Sequence, residues 1–137
     1  MPYALLDSSV YIGHWEHGLY AQVLEQVRRS FIVRHSAVVL SELSRGAKTP
    51  RAIQLVEDLY RFSRICWTPD SDDWRTAGRL LRQLTRRHGW DSPRIRDLQN
   101  DALIALTARK HGATIVTANK RDFEALYSVT RFSAIYV

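Results

Sequence analysis

Residues 96–123, RDLQNDALIALTARKHGATIVTANKRDF, constrain the fold of this chain more than any other stretch. They predict an apolar helix with a basic end and a glycine stop, then a short buried strand and a polar turn. Asp101 lies early in the predicted helix, and Asn119 and Asp122 follow the strand. If the helix and strand pack side by side in an α/β sheet, these polar groups meet at one edge. Ligand sites in open α/β sheets form there, beyond the carboxyl ends of the strands.

The rest of the chain repeats this alternation of short apolar strands and helices. We predict strands over residues 3–6, 31–33, 65–67, 114–116 and 132–137. The helices between them have candidate caps at Ser8 or Ser9, Ser36 and Thr49, and a further capped helix begins near Ser71 or Asp72. This alternation is typical of a mostly parallel sheet with helices on both faces. We therefore expect one α/β domain over residues 1–137, with four to five strands.

Helical spacing also predicts which side chains are buried. Ile53, Val56, Leu59 and Tyr60 should form the inner face of one helix, and Trp74 should begin the inner face of the next. We also predict core packing for Trp67 and for Cys66, the one cysteine. A single cysteine excludes an internal disulfide and a cysteine-based zinc cage.

Charge and hydropathy limit the possible partners and location. No apolar run approaches the roughly 20 residues of a membrane span, and the first residues lack the pattern of a signal peptide. We therefore expect a cytoplasmic protein that does not bind membranes.

The net charge is +6, and 17 of the 20 basic residues are arginine. Arginine suits phosphate groups, so nucleic acid is one candidate partner. The alternative is an arginine-biased composition spread over solvated helix faces.

Three acids occupy matching places in the predicted fold. Asp7 follows the first strand, Glu42 lies in the helix after the second, and Asp101 lies in the late helix. Each stands within or beside an apolar segment, and no basic residue is close to it in sequence. Like charges that meet without a cation repel one another and raise at least one pKa. A divalent cation relieves that repulsion, and ligand sets made only of oxygens favour Mg²⁺ or Mn²⁺.

Each acid also has an ordinary explanation when it is considered alone. Asp7 could cap the end of a strand, Glu42 could be a solvated helix residue, and Asp101 could interact with a helix N-terminal dipole. Their convergence at one edge favours a shared site over three separate roles.

Several pieces of the chain resemble PIN-domain proteins, in particular the VapC-type toxins of bacterial and archaeal toxin–antitoxin pairs. These pieces are LLDSSVYIG, SELSRG, NDALIALTARKHGATIVTANKRDF and the terminal strand, so the resemblance spans nearly the whole chain. It implies a metal-dependent endoribonuclease on a flavodoxin-like, three-layer α/β/α sandwich. Mg²⁺, or Mn²⁺ in its place, is the implied cofactor.

Family roles carry over to individual residues of this chain. The resemblance implies that Asp7, Glu42 and Asp101 bind the metal, and that Ser8 and Thr117 position a water or a carboxylate. Many PIN domains have a fourth acid where this chain has Asn119, so the nearest candidate for a fourth catalytic acid is Asp122. We expect Asp122 to contact the metal ligands rather than the metal itself. The candidate contacts with the RNA backbone are Arg45, Arg94, Arg96 and Arg121.

Partners also follow from the resemblance. We expect a VapB-type antitoxin with an acidic tail, seated in a groove between residues 19–29 and 49–63, with a cation reaching the carboxylates. We also expect a homodimer. Two alternatives stay open: a PIN-domain nuclease of RNA processing without an antitoxin, and a non-catalytic α/β interaction module.

Overall fold

A computed structural model describes all residues, 1–137, as five strands and seven helices. The strands are β1 (Tyr3–Leu6), β2 (Ile32–Ser36), β3 (Cys66–Trp67), β4 (Thr114–Thr117) and β5 (Ser133–Tyr136). They form one sheet in the order β3-β2-β1-β4-β5, and every neighbouring pair is parallel. The predicted α/β fold class is confirmed, with a sheet that is parallel throughout.

The helices lie on the two faces of this sheet. They are α1 (Ser8–His17), α2 (Ala21–Ser30), α3 (Ala37–Gly46), α4 (Pro50–Phe62), α5 (Ser71–His88), α6 (Ser92–His111) and α7 (Lys120–Tyr127). Contacts link α1, α3 and α4 in one group and α5, α6 and α7 in another. Right-handed connections explain this division, because the chain reverses its direction across the sheet after β3. None of the helices has both the length and the apolar character that crossing a membrane requires.

The core lies between the central strands and α6. Leu5 of β1, Ile115 of β4, and Leu103 and Ile104 of α6 are fully buried, and Phe123 of α7 closes the same core. Burial of each such side chain contributes about 1.5–3 kcal/mol to folding. From Asp101 to Ala108 every residue of α6 is buried, because this helix packs between the sheet, α5 and α7.

The helix caps predicted at Ser36 and Thr49 form. The Ser36 and Thr49 side chains accept backbone N–H bonds from Val38 and Ala52, both at 3.1 Å. The helix predicted to begin near Ser71 or Asp72 begins at Ser71, and its cap is Asp70, in a reciprocal capping box with Asp73. The prediction that Ser8 or Ser9 caps α1 is wrong, because Asp7 occupies that position.

Several burial predictions are wrong. Cys66 is exposed because β3 is a two-residue edge strand, on which only Trp67 points inward. Ile53 and Tyr60 are exposed because α4 is an outer helix that buries only Val56. Trp74 is 49% exposed, since it lies at the margin of the buried face of α5. That face is formed mainly by Ala77, Leu80, Leu81 and Leu84.

The late helix also begins earlier than predicted. It starts at Ser92, where the Asp91 side chain accepts the N–H of Arg94 at 3.0 Å. Asp101 is therefore in the middle of α6 rather than near its start. The helix dipole acts only within the first and last turns, so it does not account for an acid at this position.

Candidate active site

The three predicted acids lie at the carboxyl edge of the sheet. Asp7 directly follows β1, Glu42 is in α3 after β2, and Asp101 is in the middle of α6. Strand β1 lies between β2 and β4, which is where the direction of the strand order reverses. This reversal opens a crevice at the strand ends, the usual ligand site of such sheets.

One carboxylate oxygen of Asp7 is held by two hydroxyl groups. Its Oδ2 accepts hydrogen bonds from Ser9 Oγ at 2.7 Å and Thr117 Oγ1 at 2.8 Å. Both hydroxyls are fixed in turn by backbone N–H groups of the turn after β4. Ala118 donates to Ser9 at 3.1 Å, and Asn119 donates to Thr117 at 2.9 Å. The turn after β4 therefore sets the orientation of Asp7.

The other oxygen of Asp7 has no partner. Asp7 is only 2% exposed, and its Oδ1 is buried without a hydrogen bond. Asp7 occupies the N-cap position of α1, but its side chain makes no hydrogen bond that caps this helix. An unpaired buried carboxylate oxygen is costly, and a bound cation is one way to satisfy it.

Glu42 is half-buried beside Asp7. Burial, and then the negative charge of Asp7, raise the pKa of Glu42, while polar contacts with Asn100 and Ser8 and the charge of Arg45 partly oppose this shift. Ser8 Oγ lies 3.4 Å from Glu42 Oε1, a long hydrogen bond. Glu42 is therefore not a freely solvated helix residue.

Asp101 carries the largest electrostatic cost of the acids. It is 8% exposed. Burial, and then the charges of Asp7, Glu42 and Asp122, raise its pKa to about 8, against a smaller opposing effect of Arg94. Without a bound cation, Asp101 is therefore largely protonated at neutral pH.

Asp122 is held by an ion pair that the sequence did not reveal. Arg94 Nη2 donates to its Oδ1 at 2.5 Å, and Asn119 Nδ2 donates to its Oδ2 at 3.0 Å. Burial alone would raise the pKa of Asp122, but these bonds and the charges of Arg94 and Arg121 lower it below its usual value. Asn119 Nδ2 also lies 3.3 Å from Asp101 Oδ2, so the network reaches the acid cluster.

An aromatic pair supports the same arginine. The Arg94 guanidinium lies 4.8 Å from the centre of the Trp90 ring, and Trp90 stacks on His88 at 4.3 Å. The Arg94 and Asp122 side chains are only 20% and 16% exposed. This burial strengthens the pairing relative to a surface ion pair.

Comparison with known proteins identifies the family. The model of the PIN domain family matches residues 4–129. The chain belongs to the PIN domain family. Members of this family are generally nucleases. A comparison with curated proteins gives no match.

Solved structures support the PIN fold. The chain is similar to DNA-bound VapBC from Salmonella typhimurium, with a TM-score of 0.72 and 22% identity over 99% of this chain and 98% of that chain. VapBC2 from Rickettsia felis, bound to a DNA fragment from its promoter, has a TM-score of 0.67 and 22% identity over 98% of both chains. VapBC-5 from Mycobacterium tuberculosis is a member of the VapBC family of toxin–antitoxin systems. It has a TM-score of 0.64 and 24% identity over 100% of both chains. At these identities the likeness establishes the fold.

The donor set of this PIN domain suits a hard divalent cation. Asp7, Glu42 and Asp101 offer carboxylate oxygens, one of them buried and unpaired, and their charges repel one another. No three His, Cys, Asp or Glu side chains are placed so that together they could hold a metal ion in this structure. Mg²⁺ does not need three protein ligands, because it usually keeps several waters and takes one or two carboxylates together with substrate phosphates. The residues present therefore fit such an ion.

The predicted supporting residues have different positions in the PIN domain. Thr117 donates a hydrogen bond to Asp7, and Asn119 donates one to Asp101. Ser8 makes only a long hydrogen bond to Glu42. The serine that binds Asp7 is Ser9. Ser9 was missed, although its position two residues after the acid, in the first turn of a helix, could have indicated it.

The four predicted RNA-binding arginines also differ in position. Arg45 and Arg121 are exposed and close enough to act on the pKa values of Glu42 and Asp122. Arg96 lines a separate groove beside Trp90. Arg94 is engaged by Asp122, so its guanidinium is not free to hold RNA.

We expect Asn119→Asp to strengthen binding of a second divalent ion. The new carboxylate would stand against Asp101 and Asp122, both of which now accept hydrogen bonds from the Asn119 amide. The added repulsion should lower the melting temperature in EDTA and raise it when the ion is added. Calorimetric titration with Mg²⁺ tests this, and two equally tight sites in the wild-type protein would contradict it.

Proposed function

We propose that this protein is a Mg²⁺-dependent endoribonuclease and the toxin of a toxin–antitoxin pair. The observation that carries the proposal is the buried cluster of Asp7, Glu42 and Asp101 at the strand-order reversal of a PIN fold. Three mutually repelling carboxylates with an unpaired buried oxygen are costly to hold together, and cation-assisted phosphodiester hydrolysis gives them a use.

In this mechanism Asp7, Glu42 and Asp101 would hold Mg²⁺ or Mn²⁺, which when bound would supply neutralising charge at the phosphate and lower the pKa of water. Ser9 and Thr117 fix one oxygen of Asp7 and leave the other free. With the cation bound, Glu42 and Asp101 would be ionised and would orient the attacking water. Water adds to phosphorus and the bond to the 3′ oxygen breaks, which leaves 3′-hydroxyl and 5′-phosphate ends.

The antitoxin part of the proposal has separate support. The similar solved structures are VapBC complexes. In this chain, large apolar side chains are exposed on and around α2 and α4: Leu19, Ile53, Tyr60 and Phe62. Such a surface suits the apolar face of a partner helix. We propose that a VapB-type antitoxin binds there and places a cation against the acids, and that the toxin is a homodimer.

Cleavage of RNA by the purified protein tests the enzymatic proposal. We expect Mg²⁺-dependent cuts in total RNA, mapped by ligation to 5′-phosphate ends, and none in EDTA. Asp7→Asn protein should give no cuts and should lose toxicity on expression. If Asp7→Asn stays as toxic as the wild type, a non-catalytic interaction module explains the fold better.

The antitoxin proposal has its own test. Expression without a partner should arrest growth, and co-expression of the protein encoded by the adjoining reading frame should restore it. Harmless expression of an active, monomeric nuclease would favour RNA processing without an antitoxin.

A further inference from the structure

A cleft beside the acid cluster is lined by an exposed tryptophan. It has a volume of about 250 Å³ and lies between α3, the segment before α5, and α6. Its lining includes Val38, Ser41, Pro69, Trp74, Asn100 and Leu103. We propose that this cleft binds one unpaired nucleobase of the RNA substrate and so contributes to the choice of the cleavage site. This inference rests on the proposed ribonuclease function.

The Trp74 ring is available for stacking. The side chain is 49% exposed, and Trp74 forms no ring pair, unlike Trp15, Trp67 and Trp90. Val38, Pro69 and Leu103 supply apolar walls around it. A flat, half-exposed aromatic ring in an apolar cleft matches how proteins hold splayed bases of single-stranded RNA.

Polar groups in the cleft could recognise the edge of a base. Ser41, Thr68 and Asn100 line it and offer both donors and acceptors. Asn100 is close enough to Glu42 to lower its pKa, and it directly precedes Asp101. A base in the cleft would therefore lie next to the groups that act on the phosphate.

Charge near the cleft favours a nucleotide as the occupant. Arg75 and Arg79 of α5 are exposed, and neither forms an ion pair within the chain. They line an open concavity on α5 together with Arg82, Gly78, Thr76 and one acid, Asp72, so that arginines outnumber the acid three to one. Free arginines on one side and catalytic acids on the other suit a phosphodiester chain whose base enters the cleft.

The test compares Trp74→Ala and Trp74→Phe with Tyr127→Ala as a matched control. Tyr127 is also 49% exposed, but it lies on α7 outside the cleft. Trp74→Ala should raise the KM for a short single-stranded RNA about tenfold, with kcat nearly unchanged. Trp74→Phe should recover most of this loss, and the control should match the wild type. An RNA with an abasic nucleotide at the stacked position should bind wild type and Trp74→Ala equally.

A binding measurement separates this proposal from the nuclease function. In an Asp101→Asn background, which we expect not to cleave, RNA should quench tryptophan fluorescence, and adding Trp74→Phe should remove most of the quench. If wild-type protein cleaves RNA but Trp74→Ala leaves KM unchanged, or if the quench survives Trp74→Phe, the base site is wrong. The base site is also wrong if Trp74→Ala weakens binding of poly-glutamate but not of RNA, because the cleft would then bind an acidic polypeptide. If no RNA is cleaved by the wild type, the nuclease proposal fails instead.

Discussion

Replacing Asp101 with asparagine should reduce Mg²⁺-dependent RNA cleavage at least about 100-fold, the usual scale for loss of a group that stabilises transition-state charge. The same substitution should stabilise the protein when no divalent ion is bound. Asparagine keeps the size of the side chain and cannot ionise, whereas burial and the charges of Asp7, Glu42 and Asp122 oppose ionisation of Asp101. Loss of activity together with a gain in melting temperature would separate a functional acid from a structural one.

The stability gain should depend on pH in a defined direction. The pKa of Asp101 is about 8 in the folded protein, and about 3.9 is the value for an unfolded chain. A folded-state pKa above the unfolded value means that stability is complete below about pH 4 and is lost as pH rises towards about 8. In EDTA, Asp101→Asn should therefore exceed the wild type in melting temperature most at about pH 8 and least at about pH 4.

Two further measurements make this test specific. Asp97→Asn changes an exposed acid of the same helix and should alter neither activity nor the pH profile of stability. Mg²⁺ should raise the melting temperature of the wild type more than that of Asp101→Asn, because a ligand stabilises only the state that binds it. Full cleavage activity in Asp101→Asn would exclude the proposed metal site.

The sequence predicted the sheet and the acids because both depend on local patterns. Short apolar strands and the caps at Ser36 and Thr49 are visible within a few residues, Asp7 follows its strand directly, and Glu42 lies in the helix after its strand. The exposure of Trp74 could not be predicted in this way. Helical spacing defines a stripe, but the neighbouring elements decide how far along α5 that stripe is covered.

Contacts within the site were less predictable than its residues. Ser8 and Ser9 are adjacent and chemically identical, so the sequence does not show which of them contacts Asp7. The direction of each side chain in the first turn of α1 decides that Ser9 does. Arg94 and Asp122 are 28 residues apart, and their contact requires α6 to begin at Ser92. A helix starting later would have left Arg94 in a loop, where an RNA-binding role was the simpler expectation.

The Arg94–Asp122 pair leads to the second large expected effect. Arg94→Gln should lower metal affinity and cleavage roughly 10- to 100-fold, although Arg94 touches none of the three proposed metal ligands. Without the guanidinium, Asp122 keeps a charge close to Asp101 that only Arg121 and the Asn119 amide partly offset. Removal of a cation raises the pKa of Asp101 further, so the pH at which cleavage appears should shift upward.

Variants of this pair distinguish positioning from simple packing. Asp122→Asn should give a similar loss, and the double variant should be no worse than either single one, because both changes break one interaction. Arg94→Lys should restore little, since an ammonium group cannot reproduce the planar contact with Trp90. Arg86→Gln, at an exposed arginine of α5 without an ion pair, is the charge-matched control. Additive losses in the double variant, or wild-type metal affinity by calorimetry in Arg94→Gln, would show that Asp122 acts independently of Arg94.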